Sequence, residues 1–341
     1  MSIAKKIAAA LLTMLALSGG VVGAHAQSFF EGKTITITVG FGAGGGYDSY
    51  ARLLAQFMNK YIPGAPTIIV SNRPGAGGLV AYNQAARTAP KDGTLIHLIS
   101  QGLLLTEVTG GPGLQASLTE FQWLGNITQS NNVTATWVTS SIRSMDDAKT
   151  REVTLSSSGG GSTSSQMALL YNHLLGTRFK PIMGYEGSGA ENIAMERGET
   201  EGRATNTWSS YRSLYADPKS KLHILVQIGI HRDPDLPDVP LLTDLFKQDT
   251  HQYAVARLVS QALALAKCFG LPPGTPPDRV AILRKAFDQA VKDPDLLAQA
   301  AKQNLEISPL NGEEVETVIK QVLAAPADIK RETKDALGVS N

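Results

Sequence analysis

Twice along the chain a β-branched strand runs into a glycine- or serine-rich loop that opens a helix, and this unit restricts the fold more than any other feature. The first copy begins with Thr34-Ile35-Thr36-Ile37-Thr38-Val39, an alternation that fits a strand. Gly40-Phe41-Gly42-Ala43-Gly44-Gly45-Gly46 follows, then Tyr47 and Asp48. Beyond them Tyr50, Leu53, Leu54, Phe57, Met58 and Tyr61 recur at three- and four-residue steps and so form one apolar helical stripe. A second strand over 67–70 leads into Asn72-Arg73-Pro74-Gly75-Ala76-Gly77-Gly78, a helix to about Arg87 and a strand over 94–99. Such a strand–helix alternation predicts parallel pairing, because each helix carries the chain back to the same end of the sheet.

The second copy is Val153-Thr154-Leu155, then Ser156-Ser157-Ser158-Gly159-Gly160-Gly161-Ser162-Thr163, then a helix over 166–175. Strands over 178–183, 202–206 and 222–230 and a helix over 190–197 extend it into a second parallel α/β lobe. Trp123, Leu124 and the alternation over 133–138 read as a crossover strand between the lobes. After Pro234, Pro237 and Pro240 come a short helix over 241–246, an apolar stretch over 254–269 and the turn Pro272-Pro273-Gly274-Thr275-Pro276-Pro277. Asp278 is read as the cap of a helix whose Val280, Leu283, Phe287 and Val291 share a face. A last helix over 313–323 is expected to return the tail to the first lobe.

The N-terminus sets the compartment. Lys5 and Lys6 precede an apolar run over 7–17, small residues and Ala24-His25-Ala26, the plan of a secretory signal peptide removed near Ala26. A membrane span needs roughly 20 apolar residues, more than this run supplies, so a mature chain free in the periplasm is expected. Loss of the two lysines leaves 29 basic against 30 acidic side chains, a net charge of −1. No basic run interleaved with aromatics occurs, and no nucleic-acid partner is expected. Cys268 is the single cysteine, and its neighbours Ala266, Phe269 and Leu271 mark it as a buried apolar residue. Stability then rests on two ordinary cores, one per lobe.

In a parallel α/β sheet, ligands bind beyond the carboxyl ends of the strands, where loops enter helices. Both loops occupy that position. Free N–H groups and the helix dipole favour an anion there by about 0.3–1 kcal/mol per helix end, and glycine lets the backbone approach it closely. Two such loops with no nucleophile and base between them describe a clamp that closes on an anion. Asp48 is read as a helix cap, with Arg52 its ion-pair partner one turn on. Asn206 and Thr207 sit just past a strand, where a side chain can reach a ligand, and Tyr185, Trp208 and Tyr211 are candidate walls, all three better suited to the core of the lobe.

The rival reading is a dinucleotide-dependent oxidoreductase, since Gly40-x-Gly42-x-x-Gly45 follows a strand and opens a helix. Against it, Ser71-Asn72-Arg73 supplies no ribose-binding acid, although Arg73 suits a 2′-phosphate. Ser188, between Gly187 and Gly189, lacks the spacing of a nucleophile elbow, and Ser162 has no base. His97, His173, His223, His231 and His251 are scattered singly, without metal-ligand spacing. No enzyme activity, cofactor or metal is expected.

The first loop, Gly40 to Arg52 with Asn72-Arg73-Pro74-Gly75-Ala76-Gly77-Gly78, resembles the tripartite tricarboxylate transporter receptors, the Bug or TctC-like binding proteins. The resemblance continues through Ala89-Pro90-Lys91-Asp92-Gly93-Thr94-Leu95, the loop at 157–163, Leu236-Pro237-Asp238-Val239-Pro240, Pro272-Pro273-Gly274-Thr275-Pro276 and Lys292-Asp293-Pro294. It implies an α/β, two-lobed periplasmic-binding-protein fold, each lobe a mostly parallel sheet flanked by helices, with the ligand cleft between. The first lobe is expected to span 27–125 plus 258–341 and the second 126–257. It further implies a monomeric receptor that delivers a small organic carboxylate to membrane permease subunits, or signals to a sensor protein. The carboxylate is expected between Phe41, Gly42, Ala43, Gly44, Gly45, Gly46, Tyr47, Asp48, Gly77 and Gly78 on one side and Ser157, Ser158, Gly159, Gly161, Ser162, Thr163, Tyr185, Asn206 and Thr207 on the other. Two departures stand out: Ala43-Gly44 replaces the proline found before the glycines in many relatives, and Glu186 in Tyr185-Glu186-Gly187-Ser188-Gly189 replaces a cation by an anion.

Overall fold

Two mixed sheets organise residues 29–339, which the computed structural model describes. The signal peptide expected over 1–26 lies outside the described residues. β1 (Thr34–Val39), β2 (Thr67–Asn72) and β3 (Leu95–Ile99) pair in parallel with β1 central, connected by α1 (Gly46–Met58) and α2 (Leu79–Arg87). The α1 stripe buries Tyr50, Leu53, Leu54 and Met58. α3 (Gln101–Val108) follows β3 without any apolar periodicity, because seven of its eight residues are buried and no polar face marks it. β4 (Gln122–Asn126) then leads across to β5 (Asn132–Trp137) in the second sheet.

That sheet adds β6 (Val153–Ser156), β7 (Phe179–Ile182), β8 (Gly202–Thr207) and β9 (Leu222–Ile228), in the order β7-β6-β8-β5-β9. β6 runs parallel to β7 and β8, but β5 is antiparallel to both β8 and β9. Four of the five strands thus run the same way, the mostly parallel sheet expected for the second lobe, and only β5 is reversed: the crossover strand enters from the first sheet and inserts between β8 and β9 in the opposite sense. α4 (Thr163–Leu175), α5 (Ser188–Glu196) and α6 (Trp208–Leu214) follow β6, β7 and β8. α4 and α5 start earlier than their apolar patterns, because their first turns are Thr163-Ser164-Ser165 and Ser188-Gly189-Ala190.

α7 (His251–Leu263) returns the chain to the first sheet as β10 (Cys268–Leu271), antiparallel between β3 and β4. α8 (Pro277–Ala290) and α9 (Pro294–Lys302) precede the edge strand β11 (Leu310–Asn311), and α10 (Gly312–Leu323) and α11 (Ala327–Ala336) close the chain. The first sheet therefore reads β11-β4-β10-β3-β1-β2. Asp278 does not cap α8: Pro276 holds the N-cap position, and Asp278 lies in the first turn, where its charge complements the helix dipole. β10 and β11 join the first sheet as the expected tail does, whereas α11 packs on α4 and α7. Among the described residues no helix is long and apolar enough to cross a membrane.

One apolar cluster lies under α1 and α8 and includes Ile35, Ile37, Leu54, Phe269 and Phe287. A second joins Leu103 of α3 with Leu155 of β6, Met167 of α4, Val259 of α7 and Val322 of α10, so it draws on both sheets. The two interlobe passages run side by side. Ile127 N donates to Lys267 O at 3.1 Å, and Lys267 N to the buried Asn126 Oδ1 at 2.7 Å.

Candidate functional site

Beyond the carboxyl ends of both sheets, α1, α3, α4, α5 and α6 begin around one cavity. Their N-cap residues, Gly45, Ser100, Ser162, Gly187 and Thr207, form no side-chain cap bond. In α3 the Tyr47 hydroxyl takes Gln101 N at 3.1 Å, and in α6 Asn131 O and Ser130 Oγ take Trp208 N and Ser209 N at 2.8 and 3.0 Å, so the amides left for other acceptors are those that open α1, α4 and α5. Phe41, Gly46 and Tyr47 line the cavity from the first loop, and Ser158, Ser162 and Thr163 from the second. Ser100 and Gln101, Ser164, Ser188, Asn206 and Thr207, and Ser210 complete much of a wall rich in hydroxyls.

The loops meet across the cleft. Gly42 N donates to Glu186 O at 2.7 Å, and Gln166 Nε2 to Gly102 O at 3.2 Å. Gly77 takes φ +69°, and a Cβ there would land on the backbone of Gly161 and Ser162. The cavity is consequently narrow, with a volume of ≈ 30 Å³. A larger groove of ≈ 890 Å³ lies along α8 near Arg284, Lys285 and Asp288, but neither glycine loop reaches it.

Three charged residues line the cavity. Arg203 on β8 and Glu191 on α5 form a buried ion pair, with 3% and 1% of their side chains exposed. Arg203 also donates to Asn192 Oδ1 at 2.7 Å, and Ser164 Oγ to Glu191 Oε1 at 3.3 Å. Burial raises the Glu191 carboxyl against the pull of Arg203. Arg203 Nε and Asn206 Nδ2 remain donors without acceptors. The third, Lys267, is 2% exposed and has its ammonium 4.3 Å from the Tyr47 ring centroid.

Of the residues expected from sequence, Phe41, Gly46, Tyr47, Ser158, Ser162, Thr163, Asn206 and Thr207 line the cavity. The others stand behind it. Ala43, Gly44 and Gly45 abut Ser188 and Gly189 across the cleft, while Gly159 and Gly161 abut Ala76. Gly78 packs on Ser100 and the Phe41 ring. Ser157 Oγ shares hydrogen bonds with Ser162 at 3.2 Å and Ser164 at 3.1 Å, which stiffens the second loop. Asp48 is not the N-cap of α1. It reaches back from the first turn to accept from Gly44 N at 3.0 Å, and Arg52 grips both its oxygens at 2.9 Å. Burial pushes the Asp48 carboxyl up, but Arg52 and Gly44 N outweigh it and hold it below the usual range. Arg52 also donates to Asn72 Oδ1 at 3.2 Å, and Asn72 Nδ2 to Phe41 O at 3.0 Å, so this carboxylate is spent on shaping the loop.

Tyr185 turns away, its hydroxyl 3.5 Å from Glu199 Oε2, and Trp208 and Tyr211 are core, 1% and 0% exposed. Arg203, Glu191 and Lys267 escape a reading of glycine loops. Their signal is a charge set in a short run of otherwise uncharged, strand-like sequence: Ala266-Lys267-Cys268-Phe269 for one, Gly202-Arg203-Ala204-Thr205 for another.

A model of the family described as "Tripartite tricarboxylate transporter family receptor", TctC, matches residues 50–333. The chain belongs to that family. A Cupriavidus necator protein described as a UPF0065 protein in the gbd 5′ region is 26% identical to this receptor over 336 residues, 94% of each chain. Among solved structures, the periplasmic binding protein BugD superposes with a TM-score of 0.69 at 20% identity, covering 90% of this receptor and 98% of BugD. MatC from Rhodopseudomonas palustris, solved with bound malate, also gives 0.69 at 20% identity, over 87% and 99% of the two chains. The dinucleotide reading of the first loop gives way: the family is one of solute receptors, and Gly42, the middle glycine of the fingerprint, has its N–H taken by Glu186.

Proposed function

We propose that the protein captures a small organic carboxylate between its two lobes and passes it to the permease subunits of a tripartite tricarboxylate-type transporter. The observation that carries this reading is the convergence of three uncapped helix N-termini, those of α1, α4 and α5, on one hydroxyl-lined cavity. Helix ends stabilise anions, and first-turn amides need acceptors that a carboxylate supplies. Arg203 Nε and Asn206 Nδ2 add two further unmet donors. Similar proteins solved with malate and with adipate support the same ligand chemistry. In this reading residues 1–26 are a leader removed on export and the receptor works in the periplasm. One lobe comprises 27–125 with 258–341, the other 126–257, and the contacts come from the cavity-lining residues of both loops.

The test is a thermal-shift screen of the mature chain with mono-, di- and tricarboxylates, NAD and NADP. A ligand at 100 times its Kd stabilises by about 2.7 kcal/mol, enough to raise the melting temperature measurably. A shift with a carboxylate is the expected result, and a shift with a dinucleotide alone would overturn the reading.

A further inference from the structure

Five charged side chains are buried among the described residues: Asp48, Glu191, Arg203, Lys267 and Asp293. Asp48 is paired with Arg52, Glu191 with Arg203, and Asp293 with Lys60. Among the described residues Lys267 has no carboxylate within ion-pair distance, the contacts of its ammonium being with aromatic rings. Its surroundings are the rings of Tyr47 and Tyr50, with centroids 4.3 and 5.8 Å from the ammonium, and the face of the cavity that it lines. It sits where the returning passage meets β10, its backbone N–H held by Asn126, so the side chain rises from the point where the two passages between the sheets lie side by side. The start of α1 is beside it, since a Cβ on Gly46 would lie 3.7 Å from Lys267 Cε.

A buried ammonium without a counter-ion is expensive, and aromatic faces offset only about 2 kcal/mol of that cost. An amine so placed keeps its charge when an anion arrives and sheds it otherwise. Resting on the carboxylate reading above, we propose that Lys267 is the ligand's charge partner and that capture of the ligand is coupled to uptake of one proton by this amine.

The groups facing Lys267 leave it as the titrating site. Burial raises the hydroxyls of Tyr47 and Tyr50 and the thiol of Cys268, which stay protonated near neutrality. Across the cavity, Arg203 is cationic and paired with Glu191, whose carboxyl burial raises, so proton uptake that survives replacement of Lys267 would belong to that carboxyl and not to the amine. Burial, with the Arg203 charge acting in the same sense, pulls Lys267 itself down to about 7. A bound carboxylate raises it again. The amine is therefore already charged below about pH 7, and affinity there is flat; above it, affinity falls by up to tenfold per pH unit until the pKa of the complex is reached.

The experiment is isothermal titration with the tightest binder among lactate, malate, adipate and citrate, in two buffers of different ionisation enthalpy. About one proton is taken up per ligand near pH 8, and about none near pH 6. Lys267→Met abolishes the uptake and weakens binding about ten- to hundredfold, while the melting temperature of the free receptor holds or rises because an unpaired buried amine is gone. Lys267→Arg removes the uptake as well, since a guanidinium stays charged, and is the second variant should the first fold poorly. A purely structural lysine would lower the melting temperature on replacement and leave proton uptake unchanged. Binding by the wild type without proton uptake overturns the coupling and leaves the receptor reading standing; no binding by any of the acids overturns both.

Discussion

Glu191 and Arg203 bear on each other with almost no exposed surface, so neither holds its charge cheaply without the other. A carboxylate beside an anion site would repel the ligand, yet this one is neutralised by Arg203 and engaged by the Ser164 hydroxyl behind the second loop. Glu191→Leu leaves an uncompensated guanidinium in the interior and is expected to cost about 3–5 kcal/mol in urea unfolding. A cost below about 1 kcal/mol, the usual worth of an exposed pair, would mean that the pair is not sequestered. Gly77 makes a different point at the same scale. Alanine there meets both the left-handed backbone, about 1–2 kcal/mol, and the backbone of the opposite loop. Gly77→Ala should therefore weaken capture of a carboxylate by more than it lowers stability, because the added methyl holds the loops apart; equal binding by wild type and variant would contradict this. Both glycine loops were readable because only glycine and serine fit such turns in such runs, whereas Lys267 and Arg203 carry no spacing that sets a buried cation apart from an exposed one.

Among the elements, α9 shows how a helix start can report on pH. Asp293 caps it by accepting from Asp295 N at 2.8 Å, and the same carboxylate takes the Tyr61 hydroxyl at 2.8 Å and the Lys60 ammonium. Lys60, against the penalty of burial and helped by the Tyr61 hydroxyl and the first-turn amides, brings the carboxyl from 3.8 down to about 2. A depressed folded pKa adds stability above the unfolded value, and that stability disappears as pH falls from about 4 to about 2. Asp293→Ala is expected to lose about 1 kcal/mol near neutrality and to show a shallower loss of stability between those pH values. An identical acid limb in the variant would argue against the pairing. Elements with a regular apolar pattern were legible: β1 alternates in sequence although both its faces are covered, α1 has its stripe, and both stand where the pattern puts them. α3 was not, since burial on nearly every side erases periodicity, and the sense of β5 was not, since alternation gives a strand's faces and not its direction. The early starts of α4 and α5 belong to the same class, because helix turns made of serine and glycine carry no apolar signal and exist to face the cleft.

For the whole molecule, the connection between lobes is more than two passages of chain. The cluster that contains Leu103 and Leu105 of α3 also contains Met167 and Tyr171 of α4, Val259 of α7, Val322 of α10, and Ile329 and Leu337 at the tail. α11 lies on α4 and α7, so the end of the chain reaches the second lobe after β10 and β11 have completed the first sheet. Lobes that share a core have no separate unfolding units, because exposing one half strips apolar surface from the other. Calorimetry on the mature chain is accordingly expected to show one transition, with the van't Hoff enthalpy equal to the calorimetric enthalpy. Removing residues 327–341 exposes the faces that Ile329, Ala336 and Leu337 cover. At about 1.5–3 kcal/mol for each large apolar side chain, the truncated protein should lose several kcal/mol and unfold in two steps or over a broader range. If the full chain already melts in two well-separated transitions, the shared cluster does not couple the lobes. A single transition that persists after truncation at lower temperature would assign the coupling to α3, α7 and α10 instead of the tail. Either result bears on capture itself: lobes that share part of a core separate less freely than independent ones, and the two loops then stay near the geometry in which their helix ends face a common anion.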